Sequence, residues 1–347
     1  MDLRATHKLE RFGGVDNVSD LTDMTMISKE FGTFYFSPTA DNIDINDNSL
    51  ITRRDGYRVV YTAGNEIHSL WSDDLDCFFV SGTTLYRLNE DYSSTVLHTG
   101  LSGRPVVFAS AFGDTYFTDG VYIGYISKFT STAVTILPAV TDLFKSSMPA
   151  GHAMTFYRNV LYVAVNDIVF CSDPLKIRQY DVRFGMIPQF GYITMLQSLD
   201  NAIWISDDKS IYCWLGTSHY DFTNRKKSDF PVLINSSTVA LSENTMLESD
   251  GKSVIMATKY GFYAGTNDGS LVALTKKRYH IPSTFSPVSM GVRWSKETHQ
   301  CLLAGNVYPS IDGAHIMIST PPLDILTQTY QPWSLPSLIV SLTGTTA

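Results

Sequence analysis

DCFFVSGTTLYRL (76–88) reads as two apolar runs separated by a tight Ser-Gly turn, and the pattern returns along the rest of the chain. The further copies are DTYFTDGVYIGYI (114–126), NVLYVAVNDIVFCS (159–172), NAIWISDDKSIYCWLG (201–216), KSVIMATKYGFYAG (252–265) and a partial HQCLLAGNVY (299–308). Anchored on Phe78, Tyr116, Leu161, Ile203, Val254 and Leu302, the steps are 38, 45, 42, 51 and 48 residues. A period of that size with several short strands per unit is the signature of a β-propeller. The sequence therefore predicts an all-β fold, a single β-propeller of six blades, with five as the rival count because the 51-residue step could hide an insertion.

Within each copy the first run is nearly continuous in apolar residues, as expected of a strand covered on both faces. Phe78, Phe117, Leu161, Ile203, Ile255 and Leu302 are expected to be buried between blades. The pairs Ser81-Gly82, Asp119-Gly120, Asn166-Asp167 and Asp207-Asp208 tolerate the backbone of short hairpins and are expected to form the turns.

Outside the repeats, residues 1–35 lack clear alternation and read as an extended docking arm, locally basic through Arg4, Lys8 and Arg11. A short helical turn is expected at 19–29, where Ser19 or Asp20 precedes apolar residues at helical spacing. Ile43 and Ile45 before a polar turn and Leu50 after it predict a hairpin. That early region is expected to pair with the last repeats and close the ring. Segments 173–191 and 218–230 are polar and charged and read as surface loops. The propeller is assigned to 36–320 and an extended, Pro-rich tail to 321–347. Ordering an arm or tail costs conformational entropy that only a packed surface offsets. The interface candidates are accordingly Arg4, Leu9, Arg11, Phe12 and Leu21 in the arm and Trp333, Leu338 and Ile339 in the tail.

Composition narrows the function. The 347 residues carry a formal net charge of −8, which lacks the basic footprint of a phosphate-binding protein. An acidic lining could instead let nucleic acid slide past without sticking. Cys77, Cys171, Cys213 and Cys301 show no Cys-x-x-Cys spacing, and they are expected to be reduced, buried and without zinc. No stretch approaches 18 consecutive apolar residues, so no membrane span is expected. Asp44, Asn46, Asn48 and Asp55 fit part of a calcium-loop template, but their flanks read as strands rather than helices, so a hairpin is the better reading. Asp73, Asp74 and Asp76, and likewise Asp207 and Asp208, sit at hairpin positions where solvated acids are routine. The eight histidines are scattered, and no phosphate-binding loop or nucleophile motif occurs. Catalytic, cofactor and metal residues are accordingly expected to be absent.

The elements LERFGGVDNVSD (9–20), NIDINDNSLITRRDGY (42–57), His68–Leu70 and Leu85–Leu88 resemble the opening of the propeller-containing tail hub and nozzle (tail accessory) proteins of short-tailed bacteriophages. The resemblance covers roughly the first 130 residues, with Ser49 standing where the pattern has Gly. It implies a non-enzymatic virion protein, assembled in the host cytoplasm, with several copies forming a ring around the DNA channel below the portal and adaptor. A hexamer is the favoured ring. The partners it implies are tail adaptor or portal-side proteins, distal tail or fibre proteins, and phage DNA passing without sequence-specific binding. The alternative is a carbohydrate-binding propeller, receptor-binding or lectin-like, and a glycan hydrolase ranks last.

Overall fold

The computed structural model describes residues 61–136 (except 66, 74 and 131), 142–241, 251–275 and 279–281, together with residues 18–20 and the strand backbones of 12–53 and 286–335. All regular structure among these residues is β, and no helix is long and apolar enough to cross a membrane.

Six four-stranded antiparallel sheets follow one another along the chain, at 67–99, 107–135, 153–188, 195–228, 237–273 and 286–335. First strands of successive sheets touch from the second sheet to the sixth. The first two sheets are tied by the Val106 N–H, which donates to Ser69 Oγ at 2.7 Å. Further out, Thr155 Oγ1 donates to Ser198 Oγ at 2.8 Å, linking the first strands of the third and fourth sheets. This is the arrangement of a β-propeller.

The second strands are apolar because both their faces are covered. Successive side chains of a strand point to opposite faces, and in a propeller each face meets a different neighbour. In Val160–Val165, Leu161 and Val163 pack back toward Tyr116 and Ile123, while Tyr162 and Ala164 pack forward against Ile203 and Ile205. Trp204 and Cys213 then join Val254 and Met256. Ile255 and Phe262 join Leu303. Phe78, Phe117, Leu161, Ile203 and Ile255 are all buried as expected, whereas the side chain of Leu302 lies outside the described residues. Truncating such a side chain to Ala costs about 2–5 kcal/mol.

Several expectations are corrected. The first hairpin turns at Gly82-Thr83 rather than Ser81-Gly82, since Ser81 still pairs with Thr84 and Gly82 carries the positive φ of 59°. Asp119 and Asp207 open four-residue turns, closed by the pairs Thr118–Ile123 and Ser206–Ile211. The expected helical turn at 19–29 is instead a strand, Thr25–Ser28, paired with Gly32–Ser37, and Phe12–Val15 completes a three-stranded sheet. Backbone pairing with Thr33 and Phe34 outweighs the helical spacing of Met24, Met26 and Ile27. The hairpin forms as expected, Ile43–Ile45 with Ile51–Arg53, but among the described residues it joins no other sheet. The last sheet comes wholly from 286–335, and strand Phe12–Val15 lies against its fourth strand, Thr329–Leu335. The sheet thus runs past the boundary set at 320. Pro332 is tolerated there because, in this sheet, Thr329–Leu335 pairs on one side only.

The two segments read as loops also contribute strands. Thr223–Ser228 is the outer strand of the fourth sheet, carrying Arg225 and Lys226 into solvent. Met186–Pro188 is the outer strand of the third sheet, while Gln179–Asp181 leaves that sheet to pair elsewhere.

Candidate functional site

Gln179–Asp181 pairs with Lys145–Ser147 in a short antiparallel ribbon on the flank of the second and third sheets. Its two segments are pinned from below. Met148 and Ile177 are buried in the cluster between those sheets, so the rest of each segment is raised outward. Arg178 lies over the Tyr125 ring at 3.8 Å, pairs with Asp114 at 3.6 Å and donates to Tyr116 Oη at 3.4 Å, locking the ribbon to the second sheet.

The ribbon's charges are consumed internally. Arg183 grips Asp181 through Nε at 3.0 Å and Nη2 at 2.7 Å, and its own backbone N–H donates to the same carboxylate at 2.9 Å. Lys145 Nζ reaches Asp173 at 2.8 Å and Asp181 at 3.2 Å. The Arg183 side chain, then its backbone N–H and the Lys145 ammonium, hold the Asp181 carboxyl well below the usual carboxylate range against the opposing effect of burial. The Asp173 and Asp181 carboxylates in turn push Lys145 up. These ion pairs satisfy the carboxylates and the ammonium within the ribbon.

What the ribbon presents outward is apolar. The Arg183 guanidinium lies over Phe144 at 4.0 Å and near Phe184 at 5.2 Å, and the Val182 N–H donates to the Phe144 carbonyl at 3.0 Å. Leu143 is 87% exposed and Phe184 59%, with Val182 and Leu175 also exposed. Planar rings, a planar cation and three exposed aliphatic residues form a surface suited to docking a protein.

Of the residues proposed from sequence, Phe12 and Trp333 fall in strands that touch one another, Trp333 standing opposite His315. Arg4, Leu9, Arg11, Leu21, Leu338 and Ile339 lie outside the described residues. Asp73 and Asp76 have structural partners. Asp73 Oδ1 accepts the N–H groups of Leu75 and Asp76 at 2.9 and 2.7 Å, and Asp76 pairs with Arg87 at 2.5 Å. Among the described residues no three of His, Cys, Asp and Glu gather as a metal-binding group. His152 stacks on Tyr192 at 4.5 Å and its Nε2 lies 2.7 Å from the Ile193 carbonyl, while burial holds its pKa below the ordinary value. Cys77, Cys171 and Cys213 are unbridged. The ribbon was missed because its sequence is polar overall. Its signal was Ile177, Tyr180 and Phe184 interleaved with Lys176, Arg178 and Arg183, more apolar surface than a free loop carries.

No family model and no curated protein matches the chain. Among solved structures it is similar to a quinoprotein alcohol dehydrogenase-like protein of Bacteroides thetaiotaomicron. That likeness has a TM-score of 0.50 at 8% identity and spans 79% of this chain and 67% of that one. The WD40 β-propeller domain of Doa1 matches at TM-score 0.48 and 11% identity, over 82% and 88% of the two chains. The Pan2 WD40 domain of Neurospora crassa matches at TM-score 0.45 and 11% identity, over 70% and 72%. The chain is a β-propeller. A fold shared at such identity says nothing about chemistry, because propellers host many functions.

Proposed function

We propose that this protein is a non-enzymatic structural component of a bacteriophage tail, one subunit of a symmetric ring around the DNA channel. The observation that carries the reading is the flank ribbon. It offers exposed Leu143, Phe144 and Phe184 while its charges are neutralised among Lys145, Asp173, Asp181 and Arg183. A chain with net charge −8 repels its own copies, so a second copy is best met through a surface that is locally neutral and apolar. The motifs at 9–20 and 42–57 support the tail context.

The test is assembly. The purified chain, alone and with its tail partners, is examined by light scattering and electron microscopy beside the double variant Leu143→Ser/Phe184→Ser. Both side chains are exposed, so the variant keeps its fold. Rings in the wild type and monomers in the variant are expected. A wild type that stays monomeric with its partners and is missing from virions would sink the reading. Carbohydrate binding is the second reading, favoured by the exposed rings of Phe190 and Tyr192 in the connection before the fourth sheet. Glycan-array binding lost in Tyr192→Ala would support it over a tail role.

A further inference from the structure

Strand direction alternates across each four-stranded sheet. The connections between first and second strands and between third and fourth therefore emerge at one end, and all others at the opposite end. Contacts run around the propeller at the first of these ends. Asp76, Arg87, Gly113 and Lys128 line one cleft between the first and second sheets. Phe112 meets the Phe156 ring edge-on at 5.1 Å, joining the second sheet to the third. Arg158 Nη2 donates to Asn201 Oδ1 at 2.9 Å, and the Asn201 N–H donates to Asn267 Oδ1 at 3.3 Å, carrying the series to the fifth sheet.

Left-handed backbone is unequally shared between the ends. At the opposite end every described residue with positive φ is Gly or Asn, as at Gly82, Gly120 and Asn166. At this end Tyr92, Phe112, Arg158 and Leu175 take φ of 63°, 54°, 44° and 62°. Bulky residues are disfavoured in that conformation, whereas Gly or Asn would fit at little cost. Tyr92, Phe112 and Leu175 are also exposed, so burial in the free chain gives little in return. Strain kept at exposed apolar residues points to a function outside the fold.

The exposed residues gather at the cleft between the first and second sheets. Leu75, Phe112 and Phe129 each adjoin a residue lining it, and Tyr92 lies in the turn that follows Arg87 and Leu88. All four are exposed, Phe129 at 92%. Asp73, Glu90 and Asp91 are exposed in the same connections against Lys128, while Asp76 is paired with Arg87. An apolar patch in an acidic surround disfavours nucleic acid, an anionic membrane and a second copy offering the same patch. The second sheet shows what rings beside carboxylates accept: Arg178 lies over Tyr125 at 3.8 Å and pairs with Asp114 at 3.6 Å. We propose that this patch docks a partner protein through an arginine-bearing apolar segment. Its guanidinium groups meet the Tyr92 and Phe129 rings and the Glu90 and Asp91 carboxylates, and its aliphatic side chains meet Leu75 and Phe112. The patch uses none of the flank ribbon's exposed residues, and the inference does not rest on the tail reading.

The test compares the full chain with the double variant Tyr92→Asn/Phe112→Asn. Asn adopts left-handed backbone readily, so the variant should melt higher than the wild type by roughly 1–4 °C. Binding is read by fluorescence anisotropy with a labelled peptide of alternating Arg and Leu. Peptides of alternating Lys and Gly and of alternating Glu and Leu, and a single-stranded oligothymidylate, are run beside it. The Arg–Leu peptide should bind the wild type at least about tenfold more tightly than any other probe, and at least about tenfold more weakly to the variant. No rise in Tm would show that the two residues serve the fold and would overturn the proposal. So would equal binding of another probe, or a variant that binds the Arg–Leu peptide as the wild type does. Self-association of the wild type that disappears in the variant, read by light scattering, would make a second copy the occupant and overturn it as well.

Discussion

Replacing Gly265 by Ala tests how the sheets pack. Trp204, in the second strand of the fourth sheet, is fully buried, and its indole lies flat on Gly265 in the third strand of the fifth. A Cβ at Gly265 would collide with Trp204 Cε2 and lie 2.6 and 2.8 Å from Cδ2 and Cζ2. Carbon atoms pack at about 3.5–4.0 Å, so the indole must retreat by roughly 1 Å. It cannot retreat freely, because its Nε1 donates to the Thr266 carbonyl at 3.1 Å and Val254 and Met256 share its cluster. Overpacking of this kind costs about 1–3 kcal/mol, and losing the hydrogen bond adds about 1 kcal/mol. The expected loss is therefore about 2–4 kcal/mol. With an m-value near 3 kcal/mol/M, the urea midpoint should fall by about 0.7–1.3 M at unchanged m. Trp204→Phe opens space at the same spot, so the double variant should be less destabilised than the sum of the two by about 1–2 kcal/mol. A Gly265→Ala midpoint within error of the wild type, or strict additivity in the double variant, would refute this account of the junction.

Burial lowers the pKa of His152 and of His219, so the unfolded chain takes up protons at higher pH than the folded one. Stability should be full above the unfolded value of about 6.5 and fall as pH drops below it. A thermal scan across pH 8 to 5.5 should show this, and the decline should be shallower in His152→Gln/His219→Gln; an unchanged slope would assign the effect elsewhere. Burial also pushes the Cys213 thiol up to about 11 and the Cys171 thiol higher still. Both should resist a thiol reagent at pH 8 in the native chain and react in denaturant, as read by mass spectrometry of labelled peptides; prompt native labelling of either would contradict their burial.

Where a strand is covered on both faces, its own residues betray it. Val160–Val165 and residues 202–205 are apolar at consecutive positions because each face meets a different neighbouring sheet, so the repeat is legible without coordinates. The outer strands are not. Thr223–Ser228 exposes most of its side chains, so no apolar pattern is demanded of it, and pairing with Ile211–Leu215 through the backbone alone makes it a strand. The same reason hid the candidate site. Lys145, Asp173, Asp181 and Arg183 span nearly 40 residues of sequence, and only the pairing of Lys145–Ser147 with Gln179–Asp181 brings their charges together. Likewise Asp207 reads in sequence as a solvated turn acid, equivalent to Asp119. What separates the two is the chain that passes each turn: the Ser102 N–H donates to Asp119 Oδ2, whereas no donor among the described residues reaches Asp207 Oδ2. Local patterning determines which strands must be buried, because burial acts on every residue of a strand. Long-range contacts decide which polar groups meet, because hydrogen bonds and ion pairs depend on distances that no sequence spacing records.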